Sequence, residues 1–220
     1  MRQSQAMRII AVLVILASAA VIYFSGHEFA PAFELHPQQA AGWGMARMAF
    51  EVAGKGSKII LIARDTTAFK NPLAQAQLEA FKQAVKDAGG TILATHLLST
   101  DPLRPLEVPS GDFAEWIRNA PAGSIIVSLM GPPVLTEQQR RKLGAFKTRI
   151  VAFCPGAIPD NVDLRPLFEQ HLLDGALISR RDAPARPGPG QDPASCLKEF
   201  FQTVTASSVA GLYSASGVRL

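Results

Sequence analysis

The sequence predicts an α/β protein: an open, doubly wound, mostly parallel five-stranded sheet behind an N-terminal transmembrane helix. Three observations lead there. Continuous apolar runs such as "KIILIA" (residues 58–63) mark parallel strands buried on both faces, because alternation appears only where one face meets water. These runs alternate with stretches of helical period over short connections, the grammar of βαβ units. Ahead of them, "IIAVLVILASAAVIYF" (residues 9–24) contains neither charge nor proline.

That apolar run is read as an uncleaved signal anchor. As a helix at about 1.5 Å per residue it spans roughly 24 Å, and snorkelling by Arg8 with interfacial Tyr23 and Phe24 extends its reach. Arg2 and Arg8 precede it while Glu28 and Glu34 follow, which sets the N-terminus in the cytoplasm and the body outside, a single-pass inner-membrane arrangement with the body in the periplasm. The rival is a cleaved signal peptide, since Ala17-Ser18-Ala19 fits a small-x-small site; the apolar run continuing to Phe24 argues against cleavage. In either case the body is extracytoplasmic.

The remaining elements follow in order. Residues 25–38 hold two prolines and no period, and read as a linker. Residues 39–52 place Ala41, Met45, Met48 and Val52 at helical spacing, with Trp43 and Phe50 widening the stripe. Gly42 and Gly44 weaken that helix and Gly54-Lys55-Gly56 ends it. After the first strand, Asn71 is an N-cap with Pro72 at the first helical position, a choice suited to an end whose N–H groups lack partners. Leu78, Phe81, Val85 and Ala88 face the sheet, and Gly89 supplies a left-handed stop. Strands are predicted over 91–98, 124–130, 149–154 and 175–180. Between them come a short helix at 112–120, a helix capped by Thr136, and a broken helical stretch over 161–172. A proline- and glycine-rich linker (182–195) leads to an amphipathic helix over 196–209 bearing Leu197, Phe200, Phe201 and Val204. The division is therefore 1–25 anchor, 26–56 linker and helix, 57–181 α/β lobe, and 182–220 linker and C-terminal helix.

Composition narrows the function. Of the formal charge of +4, Arg2 and Arg8 supply two, leaving +2 for the body, and the basic clusters 140–142 and 180–181 are short and lack interleaved aromatics. A nucleic-acid groove needs a longer basic stripe and stacking rings, so nucleic acid is not an expected partner. His27, His36, His96 and His171 show no metal spacing. There is no Gly-x-Gly-x-x-Gly, phosphate-binding Gly-Lys-Ser/Thr or Gly-x-Ser-x-Gly, so no cofactor is expected. Cys154 and Cys196 are read as two semi-buried thiols.

Residues 58–181 resemble the N-terminal lobe of type 1 periplasmic sugar-binding proteins and the related regulatory domains. The likeness is carried by "NPLAQAQLEAFKQAVKDAGG", where the family favours Asn-Pro followed by a helix and an Ala-Gly end, and by "GSIIVSLMGPPVLTEQQRRKL". It implies ligand loops at the carboxyl ends of the strands, which is also the general rule for open α/β sheets. Those ends hold Asp65, Thr66, Phe69 and Asn71, then Ser99 and Asp101, then Gly131, then Cys154. By the resemblance, Asp65, Phe69 and Asn71 are the candidate ligand residues, Phe69 stacking on a sugar face and Asn71 bonding hydroxyls. Two departures stand out: the family's Asp-Arg clamp after the fourth strand is here Cys154-Pro155, and a second lobe of similar size has no room.

The expected function is therefore a membrane-tethered, non-enzymatic binding or accessory protein within an envelope complex. Trp43, Met45 and Met48 are its candidate interface with a protein partner or a second copy. Two alternatives stand beside it. One is a sugar-like solute held at the strand ends; the other is an enzyme using Cys154, whose pKa a following helix N-terminus could lower.

Overall fold

The computed structural model describes residues 12, 14–21, 34–99, 108–187 and 191–214. The chain divides into two compact units, 1–33 and 34–220. In the first, residues 12 and 14–21 are helical, with Val14, Ile15, Leu16 and Val21 exposed. The rest of the predicted anchor, residues 9–11, 13 and 22–24, lies outside the described residues. Among the described residues no helix is long and apolar enough to cross a membrane.

The second unit opens with α1 (His36–Ala53), then β1 (Lys58–Arg64), α2 (Pro72–Asp87), β2 (Thr91–Leu98), α3 (Ser110–Asn119) and β3 (Ser124–Ser128). It continues with α4 (Glu137–Leu143), β4 (Arg149–Cys154), the short α5 (Ile158–Asn161) and α6 (Arg165–Glu169), and β5 (Gly175–Ser179). It closes with α7 (Pro193–Phe200), β6 (Phe201–Val204) and α8 (Val209–Ser214). The strands form one sheet in the order β2-β1-β3-β4-β5-β6. All pairs are parallel except β5 with β6.

Side-chain alternation sends the two faces of each strand into separate cores. On one face, Ile59, Leu61, Ile125, Val127, Val151 and Leu177 meet α1 and α2 through Met45, Ala49, Phe81 and Val85. On the other, Ile60, Ile62, Ile126, Ile150 and Ile178 meet Phe113 and Ile117 of α3 and Leu167 and Phe168 of α6. Both faces are covered, as a parallel sheet requires.

The local signals act as their chemistry demands. Asn71 Oδ1 accepts from Ala74 N at 3.0 Å, with Pro72 opening α2, and Gly89 at φ +70 closes it. Thr136 and Gln139 form a reciprocal capping box on α4. Asp192-Pro193 repeats the arrangement of Asn71-Pro72, Asp192 accepting from Ala194 N at 2.9 Å and Ser195 N at 3.1 Å.

The strand count is corrected. The sheet has six strands, because the segment predicted as one helix over 196–209 is helical only to Phe200. The aromatic and β-branched sequence Phe201-Gln202-Thr203-Val204 then pairs antiparallel with β5. Of the candidate interface residues, Met45 and Met48 are buried in the core under α1. Their helix lies against α2 and α7, so closely that a Cβ on Gly42 would meet the Gln77 carbonyl oxygen at 2.2 Å. The segments 36–53 and 193–214 lie in the same compact unit as the strands.

Candidate functional site

The carboxyl edge of the sheet falls into two regions, one beyond β1 and β2 and one beyond β4 and β5. At the first, Asp65 organises its own loop. Its carboxylate accepts from Thr67 N at 2.9 Å, from Thr67 Oγ1 at 2.7 Å and from Ser99 Oγ at 3.1 Å. The Thr67 backbone N–H, then the hydroxyls, hold the Asp65 carboxyl below its ordinary range. Asn71 spends its side-chain oxygen on the α2 cap, leaving its amide nitrogen. Phe69 is 59% exposed. The three predicted ligand residues thus share one loop, in which two are engaged by the fold and Phe69 faces solvent.

Between β1 and β3 the strand order reverses, the place where open α/β sheets usually hold ligands. The exit of β3 is packed there: Leu129, Met130, Gly131, Pro132 and Pro133 are all buried. Leu129 N donates to Ile62 O at 2.9 Å, and Gly131 takes φ +100, a value that suits a residue without a Cβ.

The second region holds a cleft of about 400 Å³ over the ends of β4, β5 and the start of β6. Asp160 on α5 and Arg181, just beyond β5, converge in it and form an ion pair. Ser179, Thr203 and Ser208 add hydroxyls, while Ile178 and Leu212 supply an apolar wall. The walls are tied in place. Gly156 N donates to Ser179 Oγ at 3.2 Å, and Arg180 N to Phe200 O at 2.8 Å, fixing the β5 exit against α7. Arg180 pairs in two contacts with Asp182, at 3.0 and 2.7 Å, and that guanidinium holds the Asp182 carboxyl below its ordinary range.

Sequence reading named neither Asp160 nor Arg181 as a site residue, because they come from different strand exits and only the fold joins them. One signal was present: Arg181 directly follows the strand predicted over 175–180, and Asp160 lies six residues beyond the one predicted over 149–154, at the edge where ligand loops lie.

Cys154 is not placed for nucleophilic chemistry. It is fully buried, its thiol lies 3.9 Å from the Ala152 carbonyl, and burial pushes its pKa far up. Cys196 is also buried, and both cysteines are free thiols. His96 stacks on Trp116, ring centroids 4.3 Å apart and 15° from parallel, and burial lowers its pKa. No group of three or more metal-ligating side chains occurs among the described residues. Of the three predicted interface residues Trp43 alone reaches the surface. It lines a groove with Leu35, Pro72 and Pro193, and the Arg47 guanidinium lies 5.8 Å from its ring centre.

No protein-family profile and no curated protein matches the sequence. Solved structures do share the fold. The arabinose-binding protein AraP of Geobacillus stearothermophilus superposes with a TM-score of 0.53 at 12% identity, over 80% of this chain and 63% of that one. The sugar-binding protein of a sugar ABC transporter from Bacillus halodurans gives 0.52 at 12% identity, over 78% and 63%. The periplasmic component of the arabinose ABC transporter from Shewanella sp. ANA-3 gives 0.51 at 9%, over 82% and 61%. The chain therefore has the α/β fold of a periplasmic-binding-protein-like lobe and spans less than two thirds of each of these proteins.

Proposed function

We propose that the body of this chain is a non-enzymatic solute-binding lobe working outside the cytoplasm, and that its solute is small, polyhydroxylated and sugar-like. The observation that carries this reading is the cleft at the ends of β4 and β5. An ion-paired guanidinium and carboxylate there stand beside hydroxyls and an apolar wall. Sugars present that mixture in reverse: hydroxyls that donate to a carboxylate and accept from a guanidinium, and C–H faces that pack on aliphatic side chains. Two of the solved structures with this fold are described as arabinose-binding, which supports the same solute class. Residues 9–24 are proposed as the tether that holds the lobe at the membrane.

A cleft in one lobe covers one side of a solute, so the expected dissociation constant is about 1 mM. The test is a thermal-shift screen of neutral pentoses and hexoses on wild type and on Arg181→Ala. At about 100 mM, a true ligand of that affinity adds about 2.7 kcal/mol, which raises the Tm by roughly 5–10 °C in a chain of this size. Arg181 is exposed, so its removal leaves the unliganded melt nearly unchanged and abolishes the sugar-specific shift. Equal shifts in both proteins for every sugar are the effect of an excluded osmolyte, and they sink the proposal.

A further inference from the structure

We infer that the lobe carries a second ligand site, at the amino ends of β4 and β5, and that it takes a small organic acid with an apolar body. A cavity of about 390 Å³ lies there, lined by Glu137, Arg140, Arg141, Leu143, Phe146 and Leu172 among others. It is set between the end of α4, with the loop into β4, and the turn that leads into β5. The cleft proposed for the solute opens at the carboxyl ends of the same two strands, so the two sites are separate. Arg140 is the reason to read this cavity as a site. Its Nη1 donates to Gln170 Oε1 at 2.5 Å. Its Nε is shielded from water and has no acceptor among the described residues, and no carboxylate there pairs with the guanidinium.

A buried donor without an acceptor is a cost that folds ordinarily avoid. Arg140 is held at Nη1 alone, so rotation about that contact presents its Nε–Nη2 edge to the cavity. A carboxylate seated there takes both hydrogens at once, the two-point contact for which the guanidinium fork is shaped. The local charge favours an anion. Glu137, the one carboxylate in the lining, is paired with Arg141. Lys142 and Lys147, close by in sequence, are exposed and have no ion pair among the described residues. The apolar wall selects the body. Leu143 and Phe146 are only partly buried against the core, which leaves part of their surface to cover a ring or a short aliphatic chain. A neutral sugar has no anion for Arg140, and a bare inorganic anion has nothing to set against Phe146.

The test titrates the full-length protein in detergent with phenylacetate, using amide chemical shifts as the readout. Phenylacetamide is the same body without the charge, and acetate the charge without the body. Phenylacetate is expected to saturate with a Kd of about 1 mM, moving Leu143, Gly144, Phe146 and Leu172 and leaving Ser179 and Thr203 of the cleft in place. Phenylacetamide and acetate are each expected to bind about tenfold more weakly or worse. Arg140→Gln is expected to lose about tenfold or more in phenylacetate affinity, and so is Arg140→Lys, which keeps the charge without the fork. Arg181→Ala, which cripples the cleft, is expected to bind phenylacetate as wild type does, so the two sites fail or stand separately. No saturation by about 20 mM phenylacetate overturns the inference. Equal binding of acid and amide overturns it, as does undiminished binding in folded Arg140→Gln or shifts gathered at the cleft. Should Arg140→Gln not fold, the contrast of acid with amide on wild type decides alone.

Discussion

Gly42→Ala tests whether α1 is a core helix. By helix propensity alone the change stabilises a helix interior by about 1 kcal/mol. The structure demands the opposite sign. A Cβ at position 42 meets the Gln77 carbonyl oxygen at 2.2 Å, the Phe81 backbone nitrogen at 2.9 Å and the Ala80 Cβ at 3.1 Å. Two of these are backbone atoms of α2, which cannot turn away as a side chain can. Relief requires α1 and α2 to part by about an ångström, loosening Met45, Phe81 and Val85 at the seam. Overpacking of this kind costs typically about 1–3 kcal/mol and more where the obstacle is rigid. Set against the propensity gain, the net expected loss is about 2 kcal/mol, or a Tm lower by roughly 4–8 °C. Gly44→Ala is the internal control. Its Cβ meets the far end of Leu197, Cδ1 at 2.5 Å, and that side chain can rotate, so the net change stays within about 1 kcal/mol of zero. Chemical denaturation of both variants reads the contrast. A Gly42→Ala protein more stable than wild type refutes the packing described for α1.

Other outcomes follow from single contacts. Asn71→Ala removes the α2 cap and is expected to cost about 1 kcal/mol in denaturant titration, whereas Phe69→Ala, at an exposed position, stays within about 0.5 kcal/mol. Tyr213 OH accepts from Leu164 N at 2.8 Å and donates to Val162 O at 3.2 Å, so Tyr213→Phe is expected to lose about 1–2 kcal/mol. Arg165 holds the Asp163 carboxyl below its ordinary range. A depressed folded-state pKa means stability that is present above the unfolded value of about 3.9 and lost as pH falls through the folded value. Asp163→Asn should therefore be less stable than wild type at pH 6, with the gap closing below about pH 4. A gap constant down to pH 2 contradicts the pairing.

The parts of the fold legible in the sequence were those set by local chemistry. The continuous run over β1, the Asn71-Pro72 start and the Gly89 stop each depend on neighbouring residues, and the fold uses them as read. The misreadings arose where periodicity served two masters. Leu197, Phe200, Phe201 and Val204 sit at helical spacing, yet the open edge of β5 draws the last four residues of 193–204 into a strand. Met45 and Met48 suit an interface by residue type; only the third dimension shows α2 and α7 closing over their helix. Glycines at 42 and 44 read as helix weakeners because their use, letting another element approach, is invisible along one chain. The cleft was hidden for a similar reason, since Asp160 and Arg181 are paired only by the adjacency of β4 and β5.

Amide chemical-shift mapping during titration with the sugar giving the largest thermal shift tests the solute reading most directly. Saturable shifts are expected at Gly156, Ser179, Arg181, Thr203 and Ser208, around the cleft at the ends of β4 and β5. Unmoved signals are expected for Asp65, Thr67 and Asn71, whose side chains serve their own loop and helix cap. Saturable shifts gathered at Asp65 to Asn71 instead, or no saturable shift with any sugar, contradict it.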